Sequence, residues 1–272
     1  MINILYYDRE MIYKTLAESL VIGGLPMNKY KTTTEGLTEE IKFCESVIKF
    51  LDVNKDKTII LKDENDREYL GVENIAAHID GQLKKIGECL GVENVVVYID
   101  EQLKKFGKYY RRGKALGLVK AGSGHNSMFK GVTFNMVIDF PLYWLKEYQR
   151  YHFTDIISSQ STMHKILEFN LDDMFTDEVD PRAIEIIKDL KEQYNLEQDK
   201  DKKKAIWRRL INTLPDGFHM SMGITMNYLQ AISIYKQRKN HKLKQEWGVL
   251  CQWFEDLPLF KTFMIKNKLN NQ

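Results

Sequence analysis

Two stretches of this chain gather side chains that can hold anions and polarise carbonyl groups. The first runs through Glu147, Gln149, Arg150, Tyr151 and His152 and continues to Ser158, Ser159, Gln160 and Ser161; the second carries Arg209, Asn227, Arg238 and His241. A guanidinium offers a planar fork of N–H donors, stays charged at any working pH and matches phosphate or carbonyl oxygens. Such a set suits an anionic ligand. An arginine on the apolar side of a helix is costly unless an anion pairs with it, which singles out Arg150 and Arg238.

The elements that must position these groups are legible in the apolar spacing. Val132, Phe134, Met136, Ile138 and Phe140 alternate with Thr133, Asn135 and Asp139, the pattern of a strand with one apolar face. Pro141 then opens a helix, where its missing N–H costs nothing, and Leu142, Leu145 and Tyr148 continue at helical spacing to deliver residues 149–152. Beyond Asn227 two helices are expected, Tyr228 to Lys239 and Lys242 to Asp256, with Leu250, Trp253, Phe254 and Leu257 as the buried stripe and Pro258 as the stop. Several of these residues also have a plain structural reading. Ser158, Ser159 and Ser161 precede Met163, Ile166 and Leu167 and could be helix N-caps; Tyr151 could be core; His125, after Gly122-Ser123-Gly124, could be a loop histidine.

The segment from His125 to His164 resembles the core motif of the flavin-dependent thymidylate synthases (ThyX): a histidine, a strand, a helix with Gln and Arg near its end, an Arg-His-Arg triplet and a following serine. Here the triplet reads Arg150-Tyr151-His152, Ser161 falls one position late, and Thr162-Met163-His164 stand where an arginine follows the serine. The stretch from Trp207 to Trp247 is similar to a second family block: an arginine before Leu-Pro (Arg209, Leu214-Pro215), an asparagine opening a helix (Asn227), then Arg238 and His241.

The resemblance implies an α+β fold, an antiparallel sheet flanked by helices, and FAD-dependent reductive methylation of dUMP to dTMP, with methylenetetrahydrofolate as one-carbon donor and NADPH as reductant. It implies Arg238 as the catalytic residue polarising the pyrimidine, and Glu147, Arg150, Ser159, Gln160, Ser161 and Arg209 beside it on the nucleotide. His125, Ser127, Arg150, Tyr151, His152, Asn227 and His241 would contact the flavin. It also implies a homotetramer with sites shared between subunits. The departures fall on ligand positions: losing a charge-assisted hydrogen bond costs about 1.5–3 kcal/mol, roughly a ten- to hundred-fold weakening each. Two alternatives therefore stand beside thymidylate synthesis, a flavin-dependent methylase or hydroxymethylase acting on another pyrimidine nucleotide, and a non-catalytic nucleotide-binding module.

The rest of the chain bounds these readings. With 272 residues, 43% hydrophobic and 29% charged, and a net charge of +2, it can bury a large core and shows no demand for a polyanionic partner. Neither a membrane-spanning run nor an apolar N-terminal leader is evident, so a cytoplasmic location is expected. Cys44, Cys89 and Cys251 lack the spacing of a disulfide framework or a metal site, and Cys251 sits in a helical aromatic stripe as an inert thiol. A single domain over 1–272 is expected, with a short strand near Ile2–Tyr7, helical segments and a Gly23-Gly24-Leu25-Pro26 turn before residue 71.

Residues 71–90 and 91–110 form a tandem repeat sharing Gly-Val-Glu-Asn, Ile-Asp and Gln-Leu-Lys-Lys, read as a duplicated helical insertion because two copies are too few for a solenoid. Its basic stretch from Lys104 to Lys114, with Phe106, Tyr109 and Tyr110, reads as a solvated face or oligomer contact in preference to a nucleic-acid surface. Pro181 should start a helix, and the charge run Glu197 to Lys204 reads as a solvated connector.

Overall fold

A computed structural model describes residues 1–24, 34–53, 60–62, 68–70, 109, 126–151 and 154–261. His125, His152, Cys89 and, apart from Tyr109, the 71–110 repeat lie outside the described residues. The chain divides into two compact units, one made of 1–8, 134–226 and 233–253, the other of 9–133, 227–232 and 254–272.

The first unit is built on a four-stranded antiparallel sheet. Strand β1 (Asn3–Tyr7) pairs antiparallel with β4 (Thr133–Pro141), β4 neighbours β6 (His219–Asn227), and β6 pairs antiparallel with the edge strand β5 (Asp155–Ser159). The alternation expected for β4 is observed: Phe134, Met136, Ile138 and Phe140 are buried, and the residues between them face a more open side. Strand β6 repeats the pattern with Met220, Met222, Ile224 and Met226 inward. The two central strands thus give the sheet one apolar face. Both edge strands carry a bulge, between Ile4 and Tyr6 and between Ile156 and Ser158, and β5 is exposed along its length.

On the sheet's apolar side Phe140 meets Trp144, ring centroids 5.6 Å apart. Pro141, extended at φ −78° and ψ 147°, precedes α3 (Leu142–Tyr148), whose inward face is Trp144 and Tyr148. This helix stops at Tyr148, short of the extent expected from spacing, so Gln149 and Arg150 lie just beyond it, both exposed. After β5 comes the short α4 (Thr162–Lys165), then α5 (Pro181–Leu196) and α6 (Lys200–Thr213), which pack on each other. Asp180 caps α5, accepting from the Arg182 amide at 2.9 Å, with Pro181 in the first turn. The charge run is therefore mostly helix. Asp199 accepts from the Asp201 and Lys202 amides, so α6 begins at Lys200 and the connector shrinks to residues 197–199.

The helix expected over 242–256 is interrupted: a π-helical turn occupies Lys244–Gly248 before an α-helix resumes at Val249–Asp256. Such turns are uncommon and frequent at functional sites. Cys251 is buried, as read from its stripe.

In the second unit α1 (Arg9–Gly24) packs against α2 (Thr34–Val53) through Ile12, Leu16, Leu20, Phe43, Val47 and Ile48. Asp52, almost fully buried, accepts from Tyr13 Oη at 2.6 Å and from Arg9 Nε at 2.7 Å. Burial first, then the bond to Asp52 and its charge, pushes the Tyr13 hydroxyl up to about 12, with Arg9 pulling the other way. Strands β2 (Ile60–Lys62) and β3 (Glu68–Leu70) form a hairpin. Tyr109 is buried, its hydroxyl donating to Glu40, which withdraws it from the stacking surface considered for the repeat. Among the described residues no helix is long and apolar enough to cross a membrane.

Candidate functional site

One cluster in the sheet unit joins the two sequence stretches. Glu147, on the last turn of α3, accepts at Oε2 from Arg238 Nη1 (3.0 Å) and from Trp247 Nε1 (2.8 Å). Arg238 closes helix α7 (Tyr228–Arg238) and also donates from Nε to Tyr151 Oη at 2.5 Å. Its guanidinium carbon lies 4.5 Å from the Trp247 ring centroid and 5.5 Å from that of Tyr151, a cation–π arrangement on two sides. His241 completes the group: its Nδ1 accepts from the Leu243 amide at 3.2 Å, which leaves Nε2 to carry the hydrogen and face Glu147 Oε2 at 3.8 Å.

Local structure explains the convergence. The stop of α3 after Tyr148 lets the chain turn, with the Tyr151 amide bonded to the Tyr148 carbonyl, so Tyr151 swings back toward the helix that carries Glu147. The end of α7 is closed by the His241 amide on the Arg238 carbonyl, which places Arg238 and His241 on one turn. The π-helical turn then brings in Trp247, fully buried, and Glu246, also buried, which accepts from Tyr143 Oη at 2.5 Å. Burial and the bond to Glu246 hold the Tyr143 hydroxyl well above the usual phenol range. Below the polar groups lies an aromatic floor. Trp144 stacks on Tyr148 at 4.9 Å and meets Trp247 at 5.0 Å, and the Trp144 Nε1 has no hydrogen-bond partner among the described residues.

The cluster has open valences where a ligand could meet it. Arg238 Nη2 and Glu147 Oε1 have no hydrogen-bond partner among the described residues, and the side chains are 17% and 30% exposed. A guanidinium N–H donor therefore stands beside a carboxylate acceptor, neither fully sealed from solvent.

The other expected site residues divide. Arg150 was expected on an apolar helix face with a paired anion; it is exposed and has no ion pair among the described residues, because α3 ends before it. Arg209 lies on the exposed side of α6, likewise without an ion pair among the described residues. Ser158 and Ser159 belong to β5 and are not N-caps; Gln160, exposed, bonds in both directions with the Ser221 backbone; Ser161 offers its carbonyl to the Lys165 amide at the start of α4. Asn227 is an N-cap: its Oδ1 accepts from the Gln230 amide at 3.0 Å while Gln230 Oε1 accepts from the Asn227 amide at 2.8 Å. Ser127 is exposed at the start of a 3-10 turn, Ser127–Lys130.

Two groups escaped the sequence reading. Trp247 was only the boundary of a motif, and nothing in its local spacing predicts that a π-helical turn aims it at Glu147. Asp139 and His219 pair across β4 and β6, Nδ1 to Oδ2 at 2.7 Å, with Ser221 Oγ at 3.3 Å from Asp139 Oδ1. The polar rows of the two strands contained that signal. Among the described residues no group of three or more metal-ligand side chains converges.

No family model matches this chain, and no curated protein matches it. Solved structures that align with it include two of flavin-dependent thymidylate synthase (ThyX) from Helicobacter pylori with FAD and dUMP. One is 12% identical, covering 57% of this chain and 82% of the other with a TM-score of 0.43. The second is 9% identical, covering 97% of each chain with a TM-score of 0.46. Both scores fall below 0.5, so the functional reading rests on side chains and their geometry.

Proposed function

We propose that this chain is a flavin-dependent pyrimidine nucleotide methylase of the ThyX type, acting on dUMP with methylenetetrahydrofolate as one-carbon donor and NADPH as reductant. The observation that carries the reading is the convergence of Glu147 and Tyr151 with Arg238 and His241, two pairs drawn from the two motif stretches and joined at one carboxylate.

The open pair has the right polarity for a uracil edge, which presents carbonyl acceptors flanking an N–H donor. Arg238 Nη2 can donate to a ring carbonyl while Glu147 Oε1 accepts from the adjacent ring N–H. As the ring becomes nucleophilic, charge moves onto that carbonyl, and a fixed guanidinium stabilises it without reorganisation. Glu147, Tyr151 and Trp247 hold the guanidinium in place, so Glu147 both positions Arg238 and recognises the ring.

The residues present fit a flavin in two respects. Tyr151, half-buried, gives flat aromatic surface, and Arg150 and Arg209 supply exposed cations without an ion pair among the described residues, suited to phosphate. When bound and first reduced by NADPH, the flavin would supply the hydride that the transferred carbon needs. His241 would orient through its Nε2–H, and His125 and His152 are proposed as further contacts. A tetramer whose subunits share sites is proposed with the same reading.

The ring-edge argument also selects among pyrimidines, because cytosine carries an acceptor at the ring nitrogen where uracil carries a donor. In equilibrium binding, dUMP should be held at least roughly tenfold more tightly than dCMP, the weight of one charge-assisted hydrogen bond. Arg238→Lys should lower dUMP affinity by roughly ten- to hundred-fold, since a single ammonium cannot span Tyr151, Glu147 and a ligand. Equal affinity for both nucleotides would reject the assigned edge.

A further inference from the structure

Between α4, α5 and α6 lies an open cleft of about 420 Å³ with no residue of the Glu147 cluster in its lining. Its apolar walls are Met163, Leu167, Tyr194 and Trp207, and its cations are Lys200, Lys203 and Lys204, with no acidic side chain in the lining. None of the three lysines has an ion pair among the described residues. Lys203 Nζ sits 4.8 Å from the Tyr194 ring centroid, so one ammonium is held at the aromatic wall, and Trp207 is fixed by its Nε1 donating to the Met163 carbonyl at 3.0 Å. The first amides of α6 are already taken by Asp199, leaving anion recognition here to the lysine side chains.

Unpaired like charges gathered at a half-apolar cleft repel one another and are relieved by an anion. The cleft is open to solvent, and Tyr194 and Trp207 offer ring faces on which a planar base can stack. From the lysine triad, the aromatic walls and the absence of lining carboxylates we infer that this cleft binds a nucleoside polyphosphate, base against the aromatic side and phosphates on the lysines. The inference does not rest on the methylase reading, since no residue is shared.

Isothermal titration with ADP, adenosine and inorganic pyrophosphate tests it, with Trp207 fluorescence as a local readout. ADP should saturate one site with a Kd in the range of roughly 10 µM to 1 mM, and adenosine or pyrophosphate alone should bind at least about tenfold more weakly. Lys203→Gln and Lys204→Gln should each weaken ADP about five- to tenfold, allowing for solvent screening, while Arg238→Lys leaves it unchanged. Trp207→Phe should abolish the fluorescence response with binding weakened but retained. Absence of saturable ADP binding, insensitivity to both lysine variants, loss of binding in Arg238→Lys, or tighter binding of an oligothymidylate than of ADP would each overturn the inference.

Discussion

Replacing Glu147 separates its roles as acceptor and as charge. Leucine at this position would strand the indole N–H of Trp247, a fully buried donor now held at 2.8 Å. An unsatisfied buried donor costs about 1–3 kcal/mol. The same change removes the counter-charge of Arg238; with side chains 17% and 30% exposed, solvent screens part of that loss. A fully buried broken pair would cost about 3–5 kcal/mol, so about 1–2 kcal/mol remains here. Glu147→Leu should therefore destabilise by about 3 kcal/mol, a fall in Tm of roughly 6–12 °C for a chain of this size. Glu147→Gln keeps an amide oxygen for Trp247 and loses only charge, about 1 kcal/mol or roughly 2–4 °C. Thermal melts followed by circular dichroism compare the two directly. If both variants melt together, or both within about 1 °C of the parent, the carboxylate does not hold Arg238 and Trp247 as described.

Alkaline stability tests the Asp52 cluster. The folded chain keeps the Tyr13 proton up to about pH 12, while an unfolded tyrosine releases it near pH ~10. The unfolded state then binds fewer protons in that window, so the contribution is complete below about pH 10 and is lost as pH rises through about 12. Tyr13→Phe should flatten the decline of the urea midpoint between these values, and parallel curves for parent and variant would count against it. Gly217→Ala should cost about 1–3 kcal/mol, because a Cβ would lie 2.5 Å from Val179 Cγ2 and 2.8 Å from Thr176 Oγ1. Gly223→Ala meets nothing nearer than 3.9 Å and, lying inside β6, should be neutral or stabilising by up to about 1 kcal/mol in the same denaturation assay. Asn227→Ala should lose about 1 kcal/mol through the capping pair with Gln230, measurable as a lower urea midpoint; an unchanged midpoint would deny the cap its weight.

What could be read from the chain alone followed local periodicity. Strand β4 announced itself because one face is buried along its length, and the Pro181 helix because Ile187 and Leu190 are buried at helical spacing and a cap and a proline mark its start. Strand β6 has the same alternation from Met220 to Met226, but methionines and a glycine made it a weak strand signal. Strand β5 was illegible for a physical reason: as an exposed edge it has no inward face to impose a pattern. Arg150 misled because it was placed by extending a helix that ends at Tyr148, whereas Tyr151, readable as core, is the residue that the turn brings to Arg238. Glu147, Arg238 and His241 were nameable from motif order; that they share one carboxylate with Trp247 depends on a π-helical turn that spacing does not encode.

On the proposed reading a flavin and dUMP occupy one site governed by Arg238. Purified protein should bind added FAD, and dUMP titrated into that complex should perturb the flavin absorbance bands saturably. The Arg238→Lys variant should retain FAD while losing that response at the same dUMP concentrations. A protein that leaves FAD unbound, or binds it without any spectral response to dUMP, would contradict the account.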